Sequence, residues 1–369
     1  MSMQINKDNK SKVKGFNIGH LIAENSVPLL FLLICAIGVY FSGINFKFIV
    51  NEVVTRIGRN SFLVISLIIP VIAGMGLNFA LVIGAMAGQM GLMFIKVIDV
   101  GGLPGIMIAI LFATPFALLF GYGTGKILNK TKGREMITSL VLGFFAMGLY
   151  QLVFLSFIGT IIPINNPEIV LSNGVGFKNA MDLKFIMNDL DYILRPNIMG
   201  IRFPLVTLII VALLCWFTKF IIKTKLGQDF RALGQDLHIA KVAGINTDKT
   251  RIIAITISIV LAAWGQIIFL QNIGTLNTYA SHEQVGMLAI AALLVGGASV
   301  TKATIGQALT GTVLLHTLFI VSPYAGKNIF GDAQIGEFFR VFVAYGVIAM
   351  SLVLHAWHKH MSSKKKPMD

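Results

Sequence analysis

The chain has 369 residues, of which 56% are hydrophobic and only 12% are charged, and its mean hydropathy is +0.80. Soluble globular proteins carry about 25% charged residues, so this composition excludes an ordinary soluble enzyme, a disordered chain and a nucleic-acid-binding domain. The net charge of +14 does not indicate nucleic acid, because aliphatic runs separate the basic residues and no basic face with interleaved aromatic residues appears. We therefore predict an integral membrane protein.

The first 26 residues form a lysine-rich tail, and the first apolar run begins near Val27. No small-x-small cleavage site follows that run, so we interpret it as an uncleaved signal anchor behind a cytoplasmic tail. The rest of the chain is predicted to contain a transmembrane domain over 27–357 and a basic cytoplasmic tail over 358–369.

Apolar runs long enough to cross a bilayer recur along the whole chain. About 20 apolar residues cross a hydrocarbon core of roughly 30 Å, and this length predicts an all-α polytopic membrane protein with about ten transmembrane helices. The predicted spans are 27–47, 61–76, 77–97, 104–127, 137–161, 203–222, 252–270, 284–299, 303–322 and 337–357. The second and third meet at residues 74–78, where glycines precede an Asn, so at least one must be short, tilted or broken.

The basic residues predict the orientation of these spans. Twenty of the thirty Lys and Arg residues lie in the N-terminal tail, 126–135, 219–251, Lys302 and the C-terminal tail. Cytoplasmic loops carry such an excess, so both termini and the long 223–251 loop are predicted to be cytoplasmic. The 162–202 loop balances its acidic and basic residues and is predicted to be extracytoplasmic.

Sequence signatures of catalysis are missing. Residues 121–126 resemble a phosphate-binding loop, but Phe120 replaces its first glycine and Ile127 its hydroxyl residue. His355, His358 and His360 have no accompanying Cys or carboxylate, as a metal site would require. We therefore predict no catalytic residue, no metal and no cofactor held by this chain, and no nucleotide site of its own.

Neutral polar residues lie at the depth of the predicted spans. Asn78, Gln89, Gln151 and Gln266 could hydrogen-bond an uncharged solute, and we predict that they line a substrate path. The alternative is that these amides hydrogen-bond neighbouring helices to one another. Acidic residues fall at span ends rather than mid-span, which disfavours an ion-coupled secondary transporter without excluding it. A membrane-embedded enzyme or assembly factor is a third, weaker reading.

The longest predicted cytoplasmic loop contains a short amphipathic helix. Asp236 is suited to cap it, and Gly244 to end it. Its apolar residues are predicted to share one side: Leu237, Ile239, Ala240, Val242 and Ala243. The helix would dock on another protein or rest on lipid headgroups.

The same loop resembles the coupling loop of ABC importer permeases. The residues that carry the resemblance are Gly227, Arg231, Ala232, Gly234, Asp236, Ala240, Gly244 and Ile245, followed by an apolar span. Residues 76–80 and 289–299 are also similar to that family, in its ribose/simple-sugar, nucleoside and branched-chain amino-acid branch. Asn78 stands where ribose-type members have Asp, so the sequence leaves the substrate open.

The resemblance implies a type II-like permease architecture with a cytoplasmic coupling helix. Two permease subunits, identical or different, would enclose the path, and two cytosolic ABC ATPase subunits would bind the ATP. An extracytoplasmic solute-binding protein or lipoprotein would deliver a simple sugar or nucleoside, the alternative being a branched-chain amino acid. The residues expected to couple the permease to the ATPase are Arg231, Gly234, Asp236, Ala240 and Gly244.

Overall fold

The computed structural model describes residues 25–164 and 166–364. Its α-helices are α1 Ser26–Ser42, α2 Phe46–Ser66, α3 Ile68–Ile72, α4 Leu81–Val97, α5 Gly102–Lys130, α6 Glu135–Ser156, α7 Asp189–Tyr192, α8 Leu205–Lys223, α9 Lys225–Gln235, α10 Leu237–Val242, α11 Thr247–Ile273, α12 Ser281–Val295, α13 Ile305–Phe330 and α14 Ala333–Lys364. The strands are β1 Ala180–Asp182, β2 Asn197–Ile198, β3 Ile201–Arg202 and β4 Thr275–Asn277. A single 3-10 turn covers Lys184–Ile186.

Within the described residues, seven helical segments are long and apolar enough to cross a membrane. They are Phe46–Ile72, Gly102–Lys130, Glu135–Ser156, Leu205–Lys223, Thr247–Ile273, Ile305–Phe330 and Ala333–Met350. Three shorter apolar helices, α1, α4 and α12, have 10–17 residues. The predicted all-α polytopic fold is therefore confirmed, with seven helices meeting the length expected of a full span.

The prediction for the second span was wrong at its start. Instead of beginning at residue 61, the helical segment runs from Phe46 to Ile72. Its first part carries Glu52, Arg56 and Arg59, and these charges lower the mean hydropathy below that of an apolar run. The structure accommodates them through polar contacts: Arg56 lies 3.6 Å from Glu52, and Arg59 donates a hydrogen bond of 3.0 Å to Asn272.

The predicted break between the second and third spans is confirmed. The chain leaves the helical conformation after Ile72 and re-enters it at Leu81. Gly74 and Gly76 adopt positive φ angles of 72° and 71° there, a conformation that side chains with a Cβ rarely adopt. An irregular backbone inside an apolar region must be surrounded by protein, and residues 77–80 are indeed buried.

Helix α11 lies at the centre of the bundle and packs along α5, α4 and α2. Its approach to α4 is close because of two glycines. A Cβ atom added at Gly84 would lie 2.4 Å from the carbonyl oxygen of Ile259, and one added at Gly88 would lie 2.3 Å from that of Ala263. Helix α13 packs on α1, α2, α12 and α14 and forms the other side of the bundle.

The connecting segments separate into two groups at opposite ends of the bundle. At the first end, Lys132 lies 2.5 Å from Asp248, and Gly76 approaches the side chain of Val300. This end, formed by residues 126–135, 219–251 and 296–304, is called the basic end below. It contains the loops that the charge pattern assigned to the cytoplasm.

The opposite end is covered by a folded segment, residues 157–204, called the cap below. Strand β1 of the cap pairs antiparallel with β4, which follows α11, with Met181 opposite Leu276. The carboxylate of Asp191 is buried and accepts hydrogen bonds from Thr207 and Asn272. These contacts fix the cap to α8 and α11.

Candidate functional site

Three polar side chains meet inside the bundle and a fourth lies beside them, each from a different helix. Gln89 comes from α4, Tyr150 from α6, Gln266 from α11 and His282 from α12, and all four are buried. The Gln89 Oε1 atom accepts a hydrogen bond of 3.1 Å from the Tyr150 hydroxyl and lies 2.9 Å from His282 Nδ1. Gln266 Nε2 donates to the carbonyl oxygen of Ser281 at 3.4 Å. These four residues are called the polar cluster below.

The orientation of the Gln89 amide goes with one tautomer of His282. With the amide oxygen toward the ring, the neutral imidazole carries its proton on Nδ1 and presents a lone pair at Nε2. Three further polar atoms of the cluster have no hydrogen-bond partner within the described chain: Gln89 Nε2, Gln266 Oε1 and His282 Nε2. The cluster therefore offers one unused donor group and two unused acceptors.

The structure places the four predicted path residues at different positions. Gln89 and Gln266 come together in the polar cluster, because Gly88 packs against Gln266. Asn78 is also buried, but it donates to the Ser258 hydroxyl at 3.2 Å, two helical turns from Gln266 along α11. Gln151 lies on the exposed surface of α6.

Tyr150 and His282 were missed by reasoning from the sequence. Tyr150 stands directly before Gln151 in an apolar run, and a buried Tyr hydroxyl usually has a hydrogen-bond partner. That was the available signal. His282 lies just before the predicted start of the eighth span at residue 284, and the sequence alone did not indicate that it turns into the bundle.

At the basic end, α9 is bound firmly to the bundle. Phe230 is fully buried and packs in a cluster with Ile69, Ala73 and Met75. A Cβ added at Gly234 would lie 2.2 Å from the Ile72 carbonyl oxygen. The end of α9 therefore touches the chain directly where the second helical segment is interrupted.

The short helix α10 follows α9. Asp236 caps it as predicted, because its Oδ1 accepts from the backbone N–H of His238 and Ile239 at 2.7 and 2.9 Å. The helix ends at Val242, and Gly244 adopts a left-handed φ of 83°. Arg231, on α9, is exposed.

The prediction of a single apolar side on α10 was wrong. Ala240 is buried against the bundle, whereas Ile239 and Val242 are 66% and 77% exposed. Residues 239 and 240 lie about 100° apart around a helix, and only Ala240 of the two faces the bundle. Two large apolar side chains therefore point away from the chain at the basic end.

A cleft of about 500 Å³ opens beside α9 and α10. Its lining includes Gly76, Met136, Leu233 and Val300, which come from four separate segments. Behind it, Arg251 Nη2 lies 2.6 Å from Glu135 Oε1. The Arg251 Nε atom also donates to Asn129 at 2.8 Å.

Hydrogen bonds and burial shift the pKa values of several side chains in and beside the cap. A hydrogen bond from Lys184 lowers the pKa of the exposed Asp182 carboxyl, and the same contact raises the pKa of Lys184. Burial raises the pKa of Asp189. Burial also raises the pKa of Tyr279, whose hydroxyl donates to the Phe177 carbonyl oxygen at 2.8 Å.

The family described as "Branched-chain amino acid transport system / permease component" matches residues 29–354. A xylose transport system permease of Haemophilus influenzae is 28% identical over 167 residues, 45% of this chain and 41% of that protein. A fructose import permease of Bifidobacterium longum is 22% identical over 297 residues, 79% of this chain and 80% of its own length.

An autoinducer 2 import system permease of Shigella flexneri is 26% identical over 240 residues, 64% of this chain and 60% of that protein. This chain thus spans less than two thirds of the xylose and autoinducer 2 permeases that it matches and four fifths of the fructose permease. No solved structure matches the chain.

Within the described residues, seven helical segments are long and apolar enough to cross a membrane and neutral polar side chains are buried between them, which is the architecture of a multi-pass membrane protein. The family match covers most of the chain, and the chain belongs to the family of branched-chain amino acid transport system permease components. The resemblance carried by the loop between the sixth and seventh predicted spans is thereby confirmed.

Proposed function

We propose that this chain is the permease subunit of an ATP-driven ABC importer for a small uncharged solute, in particular a simple sugar. The relatives that support this substrate class are the xylose and fructose permeases. Cytosolic ABC ATPase subunits would bind and hydrolyse the ATP, a second permease subunit would complete the path, and an extracytoplasmic binding protein would deliver the solute.

The attachment of α9 and α10 to the interrupted helix is the observation that carries this proposal. An importer subunit without an ATP site must receive work through contact with another protein. Helix α9 reaches the break after Ile72 through Gly234 and Phe230, while Ile239 and Val242 remain available to a partner. A movement of α9 and α10 would therefore be transmitted to the interrupted helix inside the bundle.

In this proposal the basic end faces the cytoplasm and the cap faces outward, in the bacterial inner membrane. Asn78, Gln89 and Gln266 would contact solute when the bundle opens, and Gln151 would do so from the surface of α6. Arg231, Gly234, Asp236, Ala240 and Gly244 would form or position the contact with the ATPase.

Uptake by the assembled transporter tests the substrate class. The chain is reconstituted in proteoliposomes with the ATPase and binding protein of its gene cluster, and ATP is enclosed on the ATPase side. We expect ATP-dependent uptake of at least one of D-xylose, D-ribose and D-fructose, and none of L-leucine. Uptake of L-leucine alone would favour the branched-chain amino-acid alternative, and solute uptake driven by a proton or sodium gradient without ATP would favour a secondary transporter.

A further inference from the structure

We propose that the polar cluster of Gln89, Tyr150, Gln266 and His282 is a solute-contact site that hydrogen-bonds one hydroxyl group of an uncharged sugar during its passage. This inference rests on the proposed function and adds to it a site, a chemical class and a route of access. Two of the four residues, Tyr150 and His282, carry no functional expectation from the sequence.

The unused hydrogen-bonding groups of the cluster define the chemistry of its ligand. Gln89 Nε2 can donate, whereas His282 Nε2 and Gln266 Oε1 can only accept. A hydroxyl group is both an acceptor and a donor, so one hydroxyl can accept from Gln89 and donate to His282 or Gln266. A carboxylate could use only the free donor and an ammonium group only the free acceptors, whereas a single hydroxyl can use one of each.

The cluster also lacks charge. Its hydrogen bonds run only among the four side chains, to the Ser281 carbonyl oxygen and to the Met93 sulfur. Within the described chain, no carboxylate, guanidinium or ammonium group hydrogen-bonds to it. A zwitterionic amino acid would therefore lose its hydration without gaining a counter-charge, which is costly in a low-dielectric interior. A neutral polyol carries no charge and does not incur this desolvation cost.

Helix α6 provides the route of access, because it is only lightly packed. Among its side chains, one stripe is buried: Ser139, Tyr150 and Phe154, with Gly143 between them. Most of its other large side chains, such as Phe145 and Leu152, are exposed to the surroundings of the bundle. A displacement of α6 would therefore withdraw Tyr150 and uncover Gln89 and His282 without disturbing the core around α11.

Tyr150 is also connected to the cap. Its ring centroid lies 4.5 Å from that of Phe154, and Phe154 lies 5.7 Å from Phe177 of the cap. The Phe177 carbonyl oxygen is the acceptor for Tyr279. A solute that binds at the cap and displaces Phe177 would therefore also displace Phe154 and Tyr150, and with them the Tyr150 hydroxyl.

Protection from a thiol reagent tests whether solute reaches the cluster. In the assembled transporter, Cys35 and Cys215 are replaced by Ala, and Gln89→Cys is introduced. Labelling by N-ethylmaleimide is followed during ATP turnover, with and without D-xylose, D-ribose or D-fructose. The matched control is Ile95→Cys, which lies on the same helix and is equally buried.

We expect the transported sugar to slow labelling at position 89 about threefold or more and to leave position 95 unchanged. In a second measurement, Gln89→Leu should lower sugar uptake by about tenfold, the effect of losing one or two hydrogen bonds. Thr312→Val removes a buried hydroxyl that bonds only its own helix, at the Ala308 carbonyl oxygen, and should leave uptake within about twofold of wild type.

The outcomes separate this inference from the proposed function. If the wild-type transporter takes up no sugar, the proposed substrate class fails and the inference fails with it. If it takes up sugar, but sugar does not protect position 89 and Gln89→Leu transports normally, the inference alone is wrong. Thermal stability in detergent shows whether Gln89→Leu is misfolded. If it is, the less disruptive variant Tyr150→Phe is measured in its place. Normal sugar uptake by Tyr150→Phe would also contradict the inference.

Discussion

Arg251 is a buried cation whose position depends on residues far away in the chain. Its side chain is 3% exposed and that of its partner Glu135 is 11% exposed. The two residues are 116 positions apart, and in the sequence both look like ordinary loop charges. By contrast, the capping role of Asp236 depends on residues two and three positions away, and for that reason it could be predicted. A hydrogen bond between residues close in sequence can be predicted from the sequence, whereas an ion pair between distant residues cannot.

Removing one member of the Arg251–Glu135 pair should strongly destabilise the fold. Either Arg251→Met or Glu135→Gln leaves a buried group without its partner, at a cost of about 3–5 kcal/mol for a buried pair. The expected result is a clearly lower midpoint of thermal unfolding in detergent, measured by the loss of the monodisperse peak in size-exclusion chromatography.

The control for that experiment is Lys132→Met. Lys132 pairs with Asp248, but the two side chains are 38% and 61% exposed, and exposed pairs contribute about 0–1 kcal/mol. The double variant Arg251→Met with Glu135→Leu should recover part of the lost stability, since it leaves no buried charge. Equal midpoints for Arg251→Met and Lys132→Met would contradict this account.

At the scale of elements, α9 and α10 are packed against the bundle on one side and exposed on the other. Phe230 and Gly234 hold the inner side against the end of α3. The loop motif predicted a helix here, and its glycine at position 234 is explained by the close approach to Ile72. The sequence predicted the helix that Asp236 caps, but it did not indicate the preceding helix α9, because α9 is held by its packing against residues near the end of α3.

Arg231 and Gly244 provide the test of coupling. Arg231→Glu reverses a charge on the exposed side of α9, and Gly244→Val forces a β-branched residue into a left-handed conformation. Both variants should reach the membrane yet lose the stimulation of ATP hydrolysis by solute-loaded binding protein. The measurement is the ATPase rate of the purified complex in nanodiscs.

A charge reversal at the same end provides the matched control. Lys130 is the exposed last residue of α5, and Lys130→Glu should retain nearly full stimulation. Unchanged stimulation in both Arg231→Glu and Gly244→Val would instead support a helix that only rests on lipid.

Helix α2 shows why the positions of elements were predicted better than their ends. The length of an apolar run locates the core of a span, but the run stops where charges begin. In α2 those charges are compensated by neighbours from other elements, as in the bond from Arg59 to Asn272. A hydropathy pattern contains no information about such neighbours, so the helix begins 15 residues earlier than predicted.

At the scale of the whole molecule, the separation of the loops into a basic end and a cap agrees with the charge pattern in the sequence. What the pattern did not reveal is that the cap is folded. Leu183 and Ile186 are fully buried. Ile186 lies against Gly105 of α5, and the Leu183 N–H donates to the carbonyl oxygen of Gly274, directly after α11. The balance of charges in the loop contains no information about such contacts.

Labelling at the two ends tests the orientation of the whole chain. In a variant without Cys35 and Cys215, a single cysteine is introduced as Ser172→Cys in the cap or Gln235→Cys at the basic end, both at exposed positions. A membrane-impermeant maleimide added to intact cells should label position 172 at once and position 235 only after permeabilisation. The reverse pattern would invert the predicted topology.

The pairing of β1 with β4 has a consequence for how the protein is made. Met181 and its partner Leu276 leave the ribosome many residues apart, with α8, α9, α10 and α11 synthesised between them. In the predicted topology, strand β1 would wait outside the membrane until α11 has been inserted and β4 has followed it. A chain that stalls or ends before α11 would lack the partner strand of β1, and the completed pairing would mark a subunit whose central helix is already in place.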